Sequence, residues 1–261
     1  MTKWFVGTMG YGYDDWKGVF YPPHAKQGTY LRHYAKIFNA VELDTTFYGI
    51  PSKEKVIRWR SQVAPGFIFC PKTPREITHT GDLQLAVSDM ARFVESMRHF
   101  EQHLGPILIQ FPPEWDASNF KQLEEFAAAL PAGLQFAVEF RNISWNNKQV
   151  RDLLIRHGLG WVSTEYIIMP KELVRTSSFA YIRFIGRHGR YERKDRVRRD
   201  VGRILSKWRK MINAELDQTE ALFAFFNNDF SGHSPTTANE FKNRFGLPVS
   251  QPEIPRQGTL F

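Results

Sequence analysis

ILIQFPPEWDASNFKQLEEFAAALPAGLQFAVEF, residues 107–140, reads as a strand, a helix and a second strand. ILIQF (107–111) and FAVEF (136–140) are apolar runs without polar alternation, the pattern of strands buried on both faces. Between them, SNFKQLEEFAAAL sets Phe120, Leu123, Phe126, Ala127 and Leu130 on one helical face. Two such strands joined through a helix form a parallel βαβ unit, because a parallel pair needs a long crossover.

The same unit recurs in both directions. Further candidate strands are WFVGT from Trp4, AVELD from Ala40, FIFCPK from Phe67, WVSTE from Trp161, YIRFIG from Tyr181 and FAFFNN from Phe223. Helical spacing appears in TYLRHYAKIF from Thr29, in SKEKVIRWRSQV with Ser52 as N-cap, and over residues 89–104. It appears again in KQVRDLLIRHG, stopped by Gly158, and in TTANEFKNRFG from Thr236. Only a short element fits between Thr164 and Phe179, and the basic segment 187–210 is expected to supply a long helix. About eight strands alternating with helices over this length predict the α/β class: a TIM-type (β/α)8 parallel barrel in a single domain, residues 1–247. Residues 248–261, PVSQPEIPRQGTLF, read as a Pro-rich flexible C-terminal tail.

Composition narrows the setting. The chain has 261 residues, 42% of them hydrophobic, enough for one large core. A single cysteine, Cys70, excludes an intrachain disulfide and fits a reducing compartment. No leader pattern follows Met1 and no apolar run approaches bilayer length, so a cytoplasmic protein with no membrane partner is expected. The net charge of +8 is concentrated in residues 187–210, where eleven basic residues face three acidic ones. Arg193, Lys194, Arg196, Arg198, Arg199 and Arg203 form a one-signed patch suited to nucleic acid or another phosphate-containing partner, although charge runs are often only solvated surface.

In a barrel of this kind, chemistry sits at the C-terminal strand ends. Those positions carry Glu42 and Asp44, Lys72, Gln110, Glu139 and Arg141, Glu165, Arg183, and then Asn227, Asn228 and Asp229. Glu42 and Glu139 are candidate general bases, and His79 in REITHTGD is a candidate acid. Lys72, Arg141 and Arg183 are a candidate anion clamp, with Gln110 and Asn228 as amide partners. Trp16, Tyr21 and Tyr48, in the aromatic loops YGYDDW, FYPP and TTFYGIP, offer stacking faces to a ligand or else plug the mouth. No paired-Cys or HExxH metal motif, nucleophile elbow, Walker loop or dinucleotide fingerprint occurs, so no metal is expected and the cofactor is left open.

The strings VGTMGYGYDDWKGVFYPP, YAKIFNAVELDTTFYGIP, FCPKTPREITH, ILIQFPPEW, FAVEFRNISW, YIRFIGR and FFNNDFSGHSPTTANEF occur in one order over residues 4–246. In these the chain resembles the domain of unknown function 72 family (YecE-like). The resemblance implies a TIM-type barrel with a shared mouth, and no reaction. Its characteristic positions fall on Trp16, Phe20, Tyr21, Pro22, Glu42, Thr46, Phe47, Tyr48, Lys72, Thr78 and His79. They continue with Gln110, Phe111, Pro112, Glu139, Arg141, Arg183, Gly186 and Asn228. Two positions depart from the pattern: Tyr11 stands where Trp is common, and Ile185 where a His often precedes the glycine.

The last residues, QGTLF, resemble the bacterial sliding-clamp-binding pentapeptide, with Gln257 as the polar anchor and Leu260 and Phe261 for an apolar pocket. Gly258 replaces the usual Leu, and a tail packed on its own barrel is the competing reading. Three functions remain open. They are an enzyme acting on nucleic acid or a phosphorylated sugar, a DNA-associated accessory recruited to the sliding clamp, and an enzyme of small-molecule sugar metabolism.

Overall fold

A computed structural model of the chain describes residues 1–252 and residue 254. Gln257, Leu260 and Phe261 of the terminal pentapeptide lie outside the described residues. Among the described residues, eight strands form one parallel sheet: β1 (Lys3–Met9), β2 (Ala40–Leu43), β3 (Ile68–Pro71), β4 (Ile107–Gln110), β5 (Phe136–Glu139), β6 (Gly160–Thr164), β7 (Phe179–Phe184) and β8 (Ala221–Phe226). The helices are α1 (Tyr30–Tyr34), α2 (Lys53–Arg60), α3 (Arg75–Thr78), α4 (Val87–Arg98), α5 (Phe120–Ala129), α6 (Lys148–Arg156), α7 (Gly202–Glu215), α8 (Asn228–Ser231) and α9 (Ser234–Arg244). The strand order 3-2-1-8-7-6-5-4 rolls the sheet into a nearly closed (β/α)8 barrel in one domain. Its remaining seam, between β3 and β4, is held by isolated bridges, with Gly105 N–H donating to Phe69 C=O and Thr73 N–H to Leu108 C=O, both at 2.8 Å.

Alternation along each strand divides the side chains between two cores. Outward residues such as Val41, Ile109, Val138 and Phe184 pack under the helices. Inward residues fill the barrel, and their sizes are complementary. Tyr181, Phe223 and Phe225 on β7 and β8 project towards Ala40, Cys70 and Ala137 on the far side. Bulk from one wall thus fills the space left by small residues on the other, as close packing requires.

The β1–β2 seam contains an inserted side chain. Tyr34 at the end of α1 places its hydroxyl between the strands, accepting from Thr8 N–H at 2.8 Å and donating to Ala40 C=O at 2.9 Å. Gly7 makes room for it, since a Cβ there would stand 1.9 Å from Ala40 O and 2.6 Å from the hydroxyl.

Ser52 caps α2 as expected, accepting from Lys55 N–H. Two connections differ from the sequence expectation. The stretch between β6 and β7 contains no helix. It folds back on β6 instead, with Ser163 Oγ accepting from Val174 N–H and Thr176 Oγ1 bonded to both Trp161 N–H and Leu159 C=O. The basic segment is not one long helix either. Residues 187–201 are an irregular loop, and α7 starts only at Gly202, where Asp200 accepts from the Gly202 N–H. The cause is the sequence itself: helical spacing of buried apolar residues begins only at Val201, the residue before α7, and runs through Leu205, Trp208 and Ile212, and Gly189 adopts φ +71°. No helix among the described residues is long and apolar enough to cross a membrane.

Replacing Tyr34 by Phe removes the inserted hydroxyl and leaves Thr8 N–H and Ala40 C=O unpaired in a dry seam. The variant is expected to lose about 1–3 kcal/mol of stability in urea unfolding; an unchanged midpoint would show that the strands re-pair directly.

Candidate functional site

The strand alternation that fills the barrel also builds its mouth. Glu42, Lys72, Gln110, Glu139 and Arg183 follow, two residues on, the inward-facing Ala40, Cys70, Leu108, Ala137 and Tyr181, so they form the next layer up. Arg183 occupies the centre. Its Nε lies 3.0 Å and 3.2 Å from the two Glu42 oxygens, and its Nη2 donates to Glu42 Oε1 at 2.7 Å. Its Nη1 donates to Glu139 Oε2. Tyr181 adds a hydroxyl to Glu42 Oε2 at 2.8 Å, and Arg141 Nε donates to Glu139 Oε1 at 3.0 Å.

The two carboxyls therefore titrate differently. Burial pushes Glu42 up to about 7, against the pull of Arg183, and Asp44 adds to the rise. Burial alone would also raise Glu139, but Arg141, Arg183 and Lys72 together hold it below the usual carboxylate range. One carboxyl is held ionised while its neighbour exchanges a proton near neutrality, the arrangement that separates acid from base roles.

The β3–β5 side of the mouth is cationic and aromatic. Lys72 Nζ donates to Gln110 Oε1 at 2.9 Å and stands 3.9 Å over the Phe47 ring. Burial and the Arg183 charge lower its pKa. Gln110 is fixed in turn by its own donation to Phe111 C=O at 3.0 Å. The Arg141 guanidinium lies 4.1 Å over Tyr166. His79 sits edge-on to Phe47 and shares Nδ1 with the Thr78 hydroxyl. Burial, then Lys72 and Arg75, lower its pKa from the ordinary imidazole value. Tyr48 next to Phe47 is 84% exposed.

The β8–β1 side is built from acceptors and an amide. Asn228 Oδ1 accepts from Trp16 Nε1, Ser234 N–H and Ser234 Oγ, at 3.3, 3.0 and 2.8 Å. Three donors around one oxygen fix the amide's orientation and turn Nδ2 the other way, where it has no protein partner. Asp229 Oδ2 accepts from Gly189 N–H at 3.0 Å, and its Oδ1 is likewise buried without a protein partner. Burial raises the Tyr13 phenol, and Asp44, Asp229 and Glu42 raise it further. The close approach of the β7 end to this corner depends on Gly186, where a Cβ would stand 1.7 Å from Asp229 O.

The expected site residues thus separate into groups. Glu42, Glu139, Lys72, Gln110, Arg141 and Arg183 converge at the mouth, with His79 and Tyr48 at its edge. Trp16 and Tyr21 lie wholly buried beneath the rim. Trp16 reaches the mouth only through Asn228, and Tyr21 stacks on Tyr30 and donates to Tyr11 C=O, so neither ring offers a face to a ligand. Glu165 is drawn away to Trp208 Nε1. Tyr181, Tyr13 and Tyr166 are site residues that the sequence reading does not single out, whereas Asp229 is among its strand-end positions. Tyr181 was findable, since it shares the inward alternation of Arg183. Of the basic patch, Arg193 and Arg198 pair with Asp195, while Arg196, Arg199 and Arg203 make no ion pair among the described residues. No group of three or more His, Cys, Asp or Glu suited to a metal ion occurs among the described residues.

The model of the family "Protein of unknown function DUF72" matches residues 5–259. Escherichia coli strain K12 UPF0759 protein YecE is 25% identical, over 89% of this chain and 93% of its own. Bacillus subtilis UPF0759 protein YunF is 26% identical, over 98% and 99%. Among solved structures, a Thermotoga maritima DUF72 family protein matches with a TM-score of 0.78 at 28% identity, covering 94% of this chain and 99% of its own. An Enterococcus faecalis DUF72 family protein matches with a TM-score of 0.77 at 21% identity, covering 95% and 99%. With one barrel, one ordered set of strand-end residues and a family match over nearly its whole length, this chain belongs to the DUF72 family.

Proposed function

We propose that the mouth binds a phosphorylated sugar or nucleotide unit and moves a proton on it. The observation that carries this reading is the pair of buried carboxyls sharing Arg183, Glu42 completed by the neutral Tyr181 hydroxyl and Glu139 by a second guanidinium, so that burial pushes Glu42 up to about 7 while the cations hold Glu139 below the usual carboxylate range. Around that pair the mouth is bipolar. Lys72 and Arg141 supply cations for phosphate on one side, with Phe47 and Tyr166 beneath them and Tyr48 beside Phe47 as an exposed stacking face. On the other side Asn228 Nδ2 and Asp229 Oδ1 lie buried and unmatched just beneath the rim, a donor and an acceptor that ligand hydroxyls would satisfy on entering. In this reading Glu42 is the proton-transfer group and His79 a neutral hydrogen-bonding partner at the edge. Recruitment of the protein to a sliding clamp through Gln257, Leu260 and Phe261 is compatible with it and independent of it.

Arg183 is unsuitable as a test. It is the shared partner of two buried carboxylates, so Arg183→Met is expected to cost about 3–5 kcal/mol of stability whatever the mouth binds. Lys72→Gln and Arg141→Gln are the informative variants. Each is expected to weaken ribose 5-phosphate, measured by calorimetry, about 10- to 100-fold, the equivalent of the roughly 1.5–3 kcal/mol of a hydrogen bond to a charged group. Equal affinity for wild type and both variants removes the phosphate reading.

The carboxyls give a second check. In 13C-labelled protein, the Glu42 carboxyl is expected to titrate with a midpoint of about 7 and Glu139 below the ordinary value of roughly 4.3. The linked effects on stability oppose each other. Glu139's contribution is present above its unfolded-state pKa and lost as pH falls through its depressed folded value. Glu42's is full below its unfolded-state pKa and fades as pH rises to about 7. A single shared midpoint near 4.3 would remove the acid–base assignment.

A further inference from the structure

The loop 187–201 that replaces the expected helix belongs to the mouth. It leaves the C-terminal end of β7, and it is tied down over the neighbouring strand-end loops. Gly189 N–H donates to Asp229 Oδ2 at 3.0 Å, Lys194 N–H to Asp15 Oδ2 at 2.9 Å, and Arg198 and Arg199 N–H to Ser231 C=O at 2.7 and 3.1 Å. Those anchors lie after β8 and after β1, so the loop rims the β8–β1 side, the side that carries Asn228 and Asp229.

The loop forms an open surface cleft of about 420 Å3, several times the size of a phosphate group. Arg190, Arg193, Arg196 and Arg198 line it with Tyr191, against only Glu192 and Asp195 of opposite sign. Asp195 is shared between Arg193 and Arg198, at 3.5 Å and 2.7 Å, which fixes those two guanidiniums. Arg190 lies over the Tyr191 ring at 5.4 Å, and the Tyr191 hydroxyl is buried without a protein partner. Arg196 is exposed and unpaired among the described residues. Four guanidiniums gathered on one concavity repel one another, and planar forks of this kind match phosphate oxygens.

We propose that this cleft is a second anion site that takes the phosphodiester backbone of a single-stranded nucleic acid whose sugar–phosphate unit enters the mouth. The inference rests on the mouth reading for the identity of that unit and extends the ligand from a monomer to a polymer. Two phosphate-binding positions on one face, with an acceptor-lined mouth between the loop and Lys72, suit a strand laid across the barrel end. Exposed Tyr48 on the far side offers a stacking face to a base.

Anisotropy of a labelled 12-nucleotide single strand with the full-length protein, over a salt series, tests it. The double variant Arg190→Glu/Arg196→Glu is expected to keep the fold, because both side chains are exposed and Arg190 touches only the Tyr191 ring of its own loop; an unchanged melting curve checks this. Wild type is expected to bind with a steep inverse dependence on salt. The variant is expected to bind at least about tenfold more weakly at low salt, with the log–log slope reduced by about 1.4, from roughly 0.7 for each phosphate left without its arginine. Equal binding by wild type and variant overturns the proposal. So does wild-type binding to phosphatidylglycerol vesicles that exceeds binding to the oligonucleotide and falls in the variant, which assigns the cleft to a membrane surface. If Lys72→Gln leaves ribose 5-phosphate binding intact while the loop variant still loses the oligonucleotide, the cleft stands as a nucleic-acid site and only the mouth reading fails.

Discussion

One guanidinium governs the barrel mouth. Arg183, reaching up from β7, holds Glu42 from β2 and Glu139 from β5, so three strands on different sides of the barrel meet in one buried network. Taking three charges out of water is costly, and the network offsets that cost only because nearly every polar atom in it has a partner. Tyr181 completes Glu42 and Arg141 completes Glu139. The asymmetry of those completions is chemically productive. A phenol is a neutral donor and leaves Arg183 as the one cation bonded to Glu42, whereas Glu139 is bonded to both Arg183 and Arg141 and pulled further by Lys72. The same centre is therefore rigid in structure and unequal in proton affinity.

Around this centre the mouth has unlike halves. Residues at the ends of β3 to β5 bring ammonium and guanidinium groups over aromatic faces, while those after β8 and β1 bring an amide and carboxylates. The halves are kept apart by the barrel's circumference, so Lys72 and Asp229 do not neutralise each other. A ligand carrying an anionic group at one end and hydroxyls at the other is complementary to that arrangement.

Much of this was legible in the residues. Apolar runs without alternation announced parallel strands, and the polar residue ending each run marked the mouth. The two-residue spacing from Tyr181 to Arg183 held the further information that a tyrosine backs the arginine, which a list of polar strand ends overlooks. The aromatic loops misled for a physical reason. Trp16 and Tyr21 are as polar-tipped and loop-borne as Tyr48, and only the packing around them decides that two are buried supports and one is exposed. The basic segment misled because charge-rich sequence carries no periodic apolar face by which to separate a loop from a helix. Residues 187–200 declare themselves a loop through Gly189 and through the absence of buried apolar positions before Val201, where the helical spacing that continues through Leu205 begins.

The anchoring of that loop has a wider consequence. Its ties to the barrel run through main-chain amides, those of Gly189, Lys194, Arg198 and Arg199, and none of these bonds depends on which side chain the residue carries. Shape and charge are thereby decoupled on this rim. Substitutions at its exposed positions, Arg190 and Arg196 among them, can rewrite its electrostatic sign, or the partner it admits, without disturbing the path of the chain. A barrel whose core is fixed by Arg183 thus carries, beside its mouth, a surface on which new specificity can evolve at little cost to folding.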